Sequence, residues 1–166
     1  MYLNSGNSTI TNNGDIVIND ANADGISVKG TFTNNGSISI LNYGDEGIST
    51  ATSTAPLFVN NGSISIDAND SGGSEGLIIR GTGGVSMFEN FGSLTILNSF
   101  NEGIVIDDFS TIENSGSITV TNAGIPRGSS DNALEIKEGI FDNFSGAAIL
   151  GMVWLKKKLT CKSILH

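Results

Sequence analysis

Apolar residues recur along this chain in short alternating bursts separated by Gly, Asn, Ser and Thr. Six bursts align on one asparagine: ITNNGDIVI (10–18), FTNNGSISI (32–40), FVNNGSISI (58–66), FENFGSLTI (88–96), IENSGSITV (112–120) and FDNFSGAAI (141–149). Each opens with Ile or Phe, places Asn two residues later, and sets further apolar positions four and six residues beyond that Asn. Period two sends Ile38 and Ile40 to one side of an extended chain and Ser37 and Ser39 to the other. A weaker alternating phrase lies between the copies: DGISV (24–28), EGIST (46–50), EGLII (75–79), EGIVI (102–106) and NALEI (132–136). Before the last sixteen residues nothing keeps helical periodicity for three turns, and frequent Gly, Asn, Ser and Thr disfavours helices.

Each repeat unit therefore holds three short strands. The aligned asparagines are 22, 26, 30, 24 and 29 residues apart, which a coil with fixed strands and variable loops accommodates and a helical array does not. Hairpins are the rival reading, as a sandwich or propeller, because Asn13-Gly14, Asn35-Gly36 and Asn61-Gly62 carry the strongest two-residue hairpin signal. The later copies have Phe91-Gly92, Ser115-Gly116 and Phe144-Ser145 there, while the residue common to all six is the Asn just before. A hairpin would fix the central pair; a stacked bend fixes the side chain that meets its own copy above and below. The pattern thus predicts an all-β, single-stranded parallel β-helix of about six coils with three short strands each, over residues 1–150.

In such a coil Asn12, Asn34, Asn60, Asn90, Asn114 and Asn143 form a structural ladder one sheet spacing apart, about 4.8 Å. Each amide accepts and donates along the axis and at the bend, and Asn tolerates the left-handed backbone of a sharp corner. Ile10, Phe32, Phe58, Phe88, Ile112 and Phe141 form a core stack beside the Ile, Leu and Val columns. No coil closes its core alone, so stability is expected to grow through neighbour contacts.

Composition sharpens the picture. Charged residues are only 15% of the chain, and the formal charge of -9 makes nucleic acid and acidic membrane surfaces poor partners. No run reaches the length of a membrane span, and the opening residues do not read as a signal peptide. The single cysteine, Cys161, excludes an internal disulfide. Residues 151–166 change character: they hold the only Trp, His and Cys, and four of the eight basic residues. This tail reads as a basic cap helix or as the remnant of a broken reading frame.

Chemistry is sparse. Asp24, Glu46, Glu75 and Glu102 precede the same glycine in successive units, so they form an acidic column that calcium would bridge, with Asp70 or Asp108 assisting. A solvated acidic edge is the plainer reading. The pairs Asp45/Glu46 and Asp107/Asp108 supply carboxylates for glycoside hydrolysis without evident convergence. Arg80 is the foremost cation for proton abstraction beside a uronate, ahead of Arg127, Lys29 and Lys137. Rows such as Thr33, Val59, Glu89 and Glu113 are too mixed for an ice-binding face. No catalytic residue and no cofactor-binding residue is assigned.

The repeated F-x-N-x-G-S-I-x-I, with G-I-x-I between copies, resembles the repeat region of bacterial surface and secreted right-handed β-helix proteins. These are autotransporter passengers and filamentous adhesins, within the broader pectate-lyase-like fold. The resemblance covers residues 4 to 150. It implies right-handed winding, export to the extracellular space or bacterial outer surface, and a non-enzymatic role in cell adhesion. It also implies the remainder of a longer coil as neighbour, and glycans or a host-cell surface protein as partners. Loops 67–75 and 121–131 are the expected contact segments. The alternative is a calcium-dependent polysaccharide lyase or glycoside hydrolase, although the Asp, Arg and Lys clusters of such enzymes are not matched here residue by residue.

Overall fold

The alternating segments fold as parallel strands in a computed structural model that describes residues 1–3, 5–50, 55–69, 74–81, 85–121, 123, 133–144, 146–150 and 153–155. The first sheet contains β1 (Tyr2–Leu3), β4 (Ile26–Val28), β7 (Ile48–Thr50), β10 (Leu77–Ile79), β13 (Ile104–Ile106), β16 (Leu134–Ile136) and β19 (Val153–Leu155). The second contains β2 (Thr9–Asn12), β5 (Thr31–Asn34), β8 (Leu57–Asn60), β11 (Met87–Asn90), β14 (Ser110–Asn114) and β17 (Gly139–Asn143). The third contains β3 (Asp15–Ala21), β6 (Ser37–Tyr43), β9 (Ser63–Asp67), β12 (Ser93–Leu97), β15 (Ser117–Thr121) and β18 (Ala148–Leu150). Every strand pairs in parallel with its own copy in the next unit, and no helix occurs among the described residues. The chain is a β-solenoid of about five full turns, since six copies are separated by five steps.

Alternation sets the inside of the coil. In β6 and β9 the isoleucines are buried while Ser39, Ser63 and Ser65 are exposed. Phe32, Phe58, Phe88 and Ile112 are wholly buried, with Phe32 and Phe58 stacked at 4.8 Å between ring centroids and Phe58 and Phe88 tilted at 5.4 Å. Each such side chain stabilises the coil by roughly 1.5–3 kcal/mol. Ile10 and Phe141, in the end coils, are only partly buried.

The ladder runs through the second bend with a single polarity. Nδ2 of each asparagine donates to Oδ1 of the next, at 2.8 Å for Asn12 to Asn34, Asn34 to Asn60 and Asn60 to Asn90. The next two steps, Asn90 to Asn114 and Asn114 to Asn143, are 2.7 Å. The same nitrogens reach carbonyls of their own bend and of the next coil, as Asn34 does to Gly36 (3.3 Å) and Ser63 (3.3 Å). Backbone groups left over at the corner are thereby satisfied by side chains rather than water.

Four features depart from the sequence reading. Left-handed backbone occurs not at the ladder asparagines but at the bend after the third sheet, at Asp20 (φ 56°), Asn42 (φ 54°), Asn69 (φ 45°) and Asn98 (φ 55°), and before β14 at Asp108 (φ 51°) and Phe109 (φ 58°). At the third-sheet bend short Asx side chains relieve the strain by bonding to one another, as Asn42 does to Asp20 at 2.8 Å and Asn98 to Asp67 at 2.9 Å. The sixth copy slips: Ile149 pairs with Ile118 and not with Val120, and before this strand Ala147 N donates to Phe144 O and Gly146 takes a φ of 89°. The central position of the first-sheet strands is buried rather than open, at Ser27, Ser49, Ile78, Val105 and Glu135. Lastly, Val153–Leu155 of the basic tail is a strand on β16, not a helix; residues 156–166 lie outside the described part.

Candidate functional site

The corner that leads from the third sheet into the first carries the acidic column of the rod. Gly25 N donates to Glu46 O (3.0 Å), Gly47 N to Glu75 O (3.0 Å) and Gly76 N to Glu102 O (3.2 Å), so Asp24, Glu46, Glu75 and Glu102 step along the axis at one backbone position. The glycine beside them is a packing requirement. A Cβ on Gly76 would lie 2.3 Å from Ile96 Cγ2 and 2.8 Å from Gly103 O. The acidic side chain is therefore set outward by a neighbour that has no room for any side chain.

Two of these four carboxylates converge, and they do so with a third. Single carboxylate oxygens of Asp24, Asp45 and Glu46 lie within 4.8 Å of one another. Arg80, from the following coil, reaches back to Glu46, its Nη2 3.3 Å from Oε1. Its backbone is clamped in place: Arg80 N donates to Thr50 Oγ1 at 3.1 Å and Ser86 Oγ donates to Arg80 O at 2.8 Å. Ser49 Oγ donates to Asp24 Oδ2 and lies 3.1 Å from Ser27 Oγ. These contacts arch over the first sheet and explain the burial of Ser27 and Ser49.

Burial of Glu46 pushes its carboxyl up to about 8, and a hydrogen bond with Asp24 and the charges of Asp24 and Asp45 act in the same direction against Arg80. These influences favour the protonated form of Glu46, which lessens the repulsion that stacked carboxylates would suffer. Glu75 is also raised, chiefly by burial, with Lys137 opposing. Burial, with Glu75 and Asp67 assisting, raises the phenol of Tyr43. Lys137 Nζ is 3.6 Å from Glu135 Oε2.

Chemically, three hard oxygens set so close are a partial ligand set of the kind calcium takes. A protonated carboxyl among carboxylates, with an arginine beside it, is also the raw material of general acid catalysis. Glu75 and Glu102 share the column without joining the cluster. Asp108 sits at another corner, its N donating to Asp107 Oδ1 at 3.0 Å, and Asp70, Arg127, Cys161 and His166 lie outside the described residues. Asp45 and Arg80 were separate candidates in the sequence; their meeting at Glu46 depends on the bend at Gly44 and on the reach of an arginine across one coil.

The two long insertions fall in the sequence at this same corner. Loop 67–75 joins β9 to β10 and loop 121–131 joins β15 to β16, so both connect the third sheet to the first, two coils apart; most of their residues lie outside the described part. A shallow cleft of about 270 Å³ lies at that corner, lined by Asp20, Ala21, Asn22, Asn42, Tyr43 and Gly44. On the outer face of the second sheet, Thr33, Val59, Glu89 and Glu113 stand in register as a mixed row. No helix among the described residues is long and apolar enough to cross a membrane. The chain matches no protein-family model, no curated protein and no solved structure.

Proposed function

We propose that this chain is a structural segment of an exported bacterial surface or secreted protein, a stiff spacer that presents loops for contact with cells or glycans. The observation that carries this reading is the division of labour between bend and corner. One bend is committed to an unbroken amide ladder, while both long insertions fall between third-sheet and first-sheet strands whose pairing stays in register. The test replaces residues 68–73 and 122–131 by short Gly/Ser links and compares binding to cells and immobilised glycans. Loss of binding with an unchanged β-sheet spectrum supports the reading; undiminished binding rejects the loops as the contact surface.

One observation favours a second reading, a calcium-assisted carbohydrate-active enzyme. It is the convergence of Asp24, Asp45 and Glu46 beside Arg80, with the Glu46 carboxyl raised by burial. That reading predicts reducing-sugar or unsaturated-uronate release from neutral or acidic polysaccharides, dependent on added calcium and abolished in Glu46→Gln. Absence of turnover in wild-type protein across such substrates rejects it.

A further inference from the structure

A second file of amides runs outside the buried ladder, one residue further along the same bend. It comprises Asn13, Asn35 and Asn61; the later copies carry Phe91, Ser115 and Phe144 there and end it. Asn35 Nδ2 donates to Asn13 Oδ1 at 2.9 Å and Asn61 Nδ2 to Asn35 Oδ1 at 2.8 Å, the polarity opposite to that of the inner ladder. All three are exposed, and each is followed by glycine. They are not held alike. Asn35 is bonded through both Oδ1 and Nδ2 and Asn61 through Nδ2, whereas Asn13 accepts alone, and its Nδ2 donates to no protein atom among the described residues.

An asparagine followed by glycine is open to attack by its own chain, because the glycine nitrogen carries no neighbouring Cβ to block its path to the side-chain carbonyl carbon. That nitrogen forms a bond to Cγ and gives its proton to Nδ2; the Cγ–Nδ2 bond breaks and ammonia leaves. Water then opens the cyclic imide at one carbonyl or the other. The product is aspartate, or isoaspartate with the main chain lengthened by one methylene. Water is the sole co-reactant. The step requires the amide to swing out of its hydrogen bonds and the bend to turn about the asparagine's own backbone.

We propose that Asn13 is a self-modification site, converted by this route to aspartate or isoaspartate, while the coil protects Asn35 and Asn61. Asn13 has the leaving group that no bond restrains. Its attacker, Gly14 N, is bonded to a side chain, Asn12 Oδ1 at 3.2 Å, whereas Gly62 N is bonded to backbone, Asn34 O, at 3.2 Å. The first bend also has room for the product. A Cβ on Gly14 would meet nothing within 4 Å, but one on Gly36 would stand 1.9 Å from Gly14 O and one on Gly62 2.0 Å from Gly36 O. Conversion at Asn13 keeps the outer file intact, because a carboxylate there still accepts from Asn35 Nδ2, now with charge assistance. At Asn35 or Asn61 the same change would turn a donor into an acceptor that faces another acceptor.

The three sites read T-N-N-G-D, T-N-N-G-S and V-N-N-G-S, so unfolding makes them near equivalents and supplies the control. The full chain is held at mildly alkaline pH with and without urea, and the acid formed at each asparagine is followed by peptide mass spectrometry with fragment-ion assignment. In the folded chain Asn13 is expected to convert within roughly threefold of its unfolded rate. Asn35 and Asn61 are expected to convert at least about tenfold more slowly than when unfolded, with Asn35 the slowest. Gly14→Ala, which sets a Cβ in open space beside the attacking nitrogen, is expected to slow Asn13 about tenfold or more. Similar rates at all three sites of the folded chain, whether fast or slow, overturn the proposal. Conversion at Asn13 that Gly14→Ala leaves unchanged overturns the route through Gly14 N.

Discussion

Asn60 Nδ2 lies 2.8 Å from Asn90 Oδ1, across thirty residues of sequence and one step of the coil. The same nitrogen is 3.1 Å from Ser93 O, and Asn60 Oδ1 accepts from Asn34. Replacing Asn60 by Ala therefore takes the donor from Asn90 Oδ1 and from Ser93 O, and leaves Asn34 Nδ2 with only its longer bonds to Gly36 O and Ser63 O. The expected cost is roughly 2 kcal/mol or more in urea unfolding, with an unchanged m value. Asn12→Ala, at the open end of the ladder and 9% exposed, is expected to cost clearly less. Equal costs at the two positions would mean that the amide chain does not carry the stabilisation assigned to it.

The aromatic column makes a second contrast. Phe58 stacks between Phe32 and Phe88 and is wholly buried, so Phe58→Ala is expected to destabilise by about 3–5 kcal/mol. Phe91, 54% exposed and pointing away from the core, is expected to tolerate Ala within about 0.5 kcal/mol. Thermal unfolding of the two variants under one condition separates them.

Glycines at the second bend are there for space. A Cβ on Gly62 would stand 2.0 Å from Gly36 O, whereas one on Gly14, in the first coil, meets nothing within 4 Å. Gly62→Ala is thus expected to force neighbouring coils apart and to cost about 1–3 kcal/mol, in line with other overpacked sites. Gly14→Ala is expected to be near neutral. Chemical unfolding of the pair checks this, and a neutral Gly62→Ala would show that the coils are not in close backbone contact.

Stability should depend on pH through Glu46. Its carboxyl is raised from 4.5 to about 8, so the folded chain keeps a proton that the unfolded chain releases in this window. The contribution is complete below about 4.5 and is lost as pH climbs through about 8. Burial raises Glu75 in the same direction. The melting temperature is expected to fall between these limits, and to fall less in Glu46→Gln, which keeps a neutral side chain. A wild-type melting temperature that rises across the window would reverse the assignment.

Much of the fold was legible because the strands obey a period of two and because the same Asn returns at a spacing no hairpin requires. Phe32 and Phe58 lie in nearly identical phrases, and like phrases stack. Local geometry was less legible. The left-handed turns at Asp20, Asn42 and Asn98 lie where the third sheet exits into its corner, and the Asx residues there were not distinguishable in the sequence from the many other Asn and Asp of the chain. Two extra residues between Asn143 and Ile149 move the sixth copy out of step, and only pairing with Ile118 reveals it. Val153–Leu155 carries no repeat phrase and becomes a strand because β16 offers it an edge. At the acidic corner, the shared column of Asp24 and Glu46 was visible in the repeated glycine. The approach of Asp45 and Arg80 was not, since it depends on side-chain reach between coils.

The central claim is that equivalent asparagines stack in register along one axis. Solution NMR of the Asn60 side-chain amide tests it most directly. The account predicts contacts from its NH2 protons to the side chains of both Asn34 and Asn90, with solvent exchange slowed to that of the surrounding strands. Contacts to neither, or to residues placed across an antiparallel turn, would contradict it.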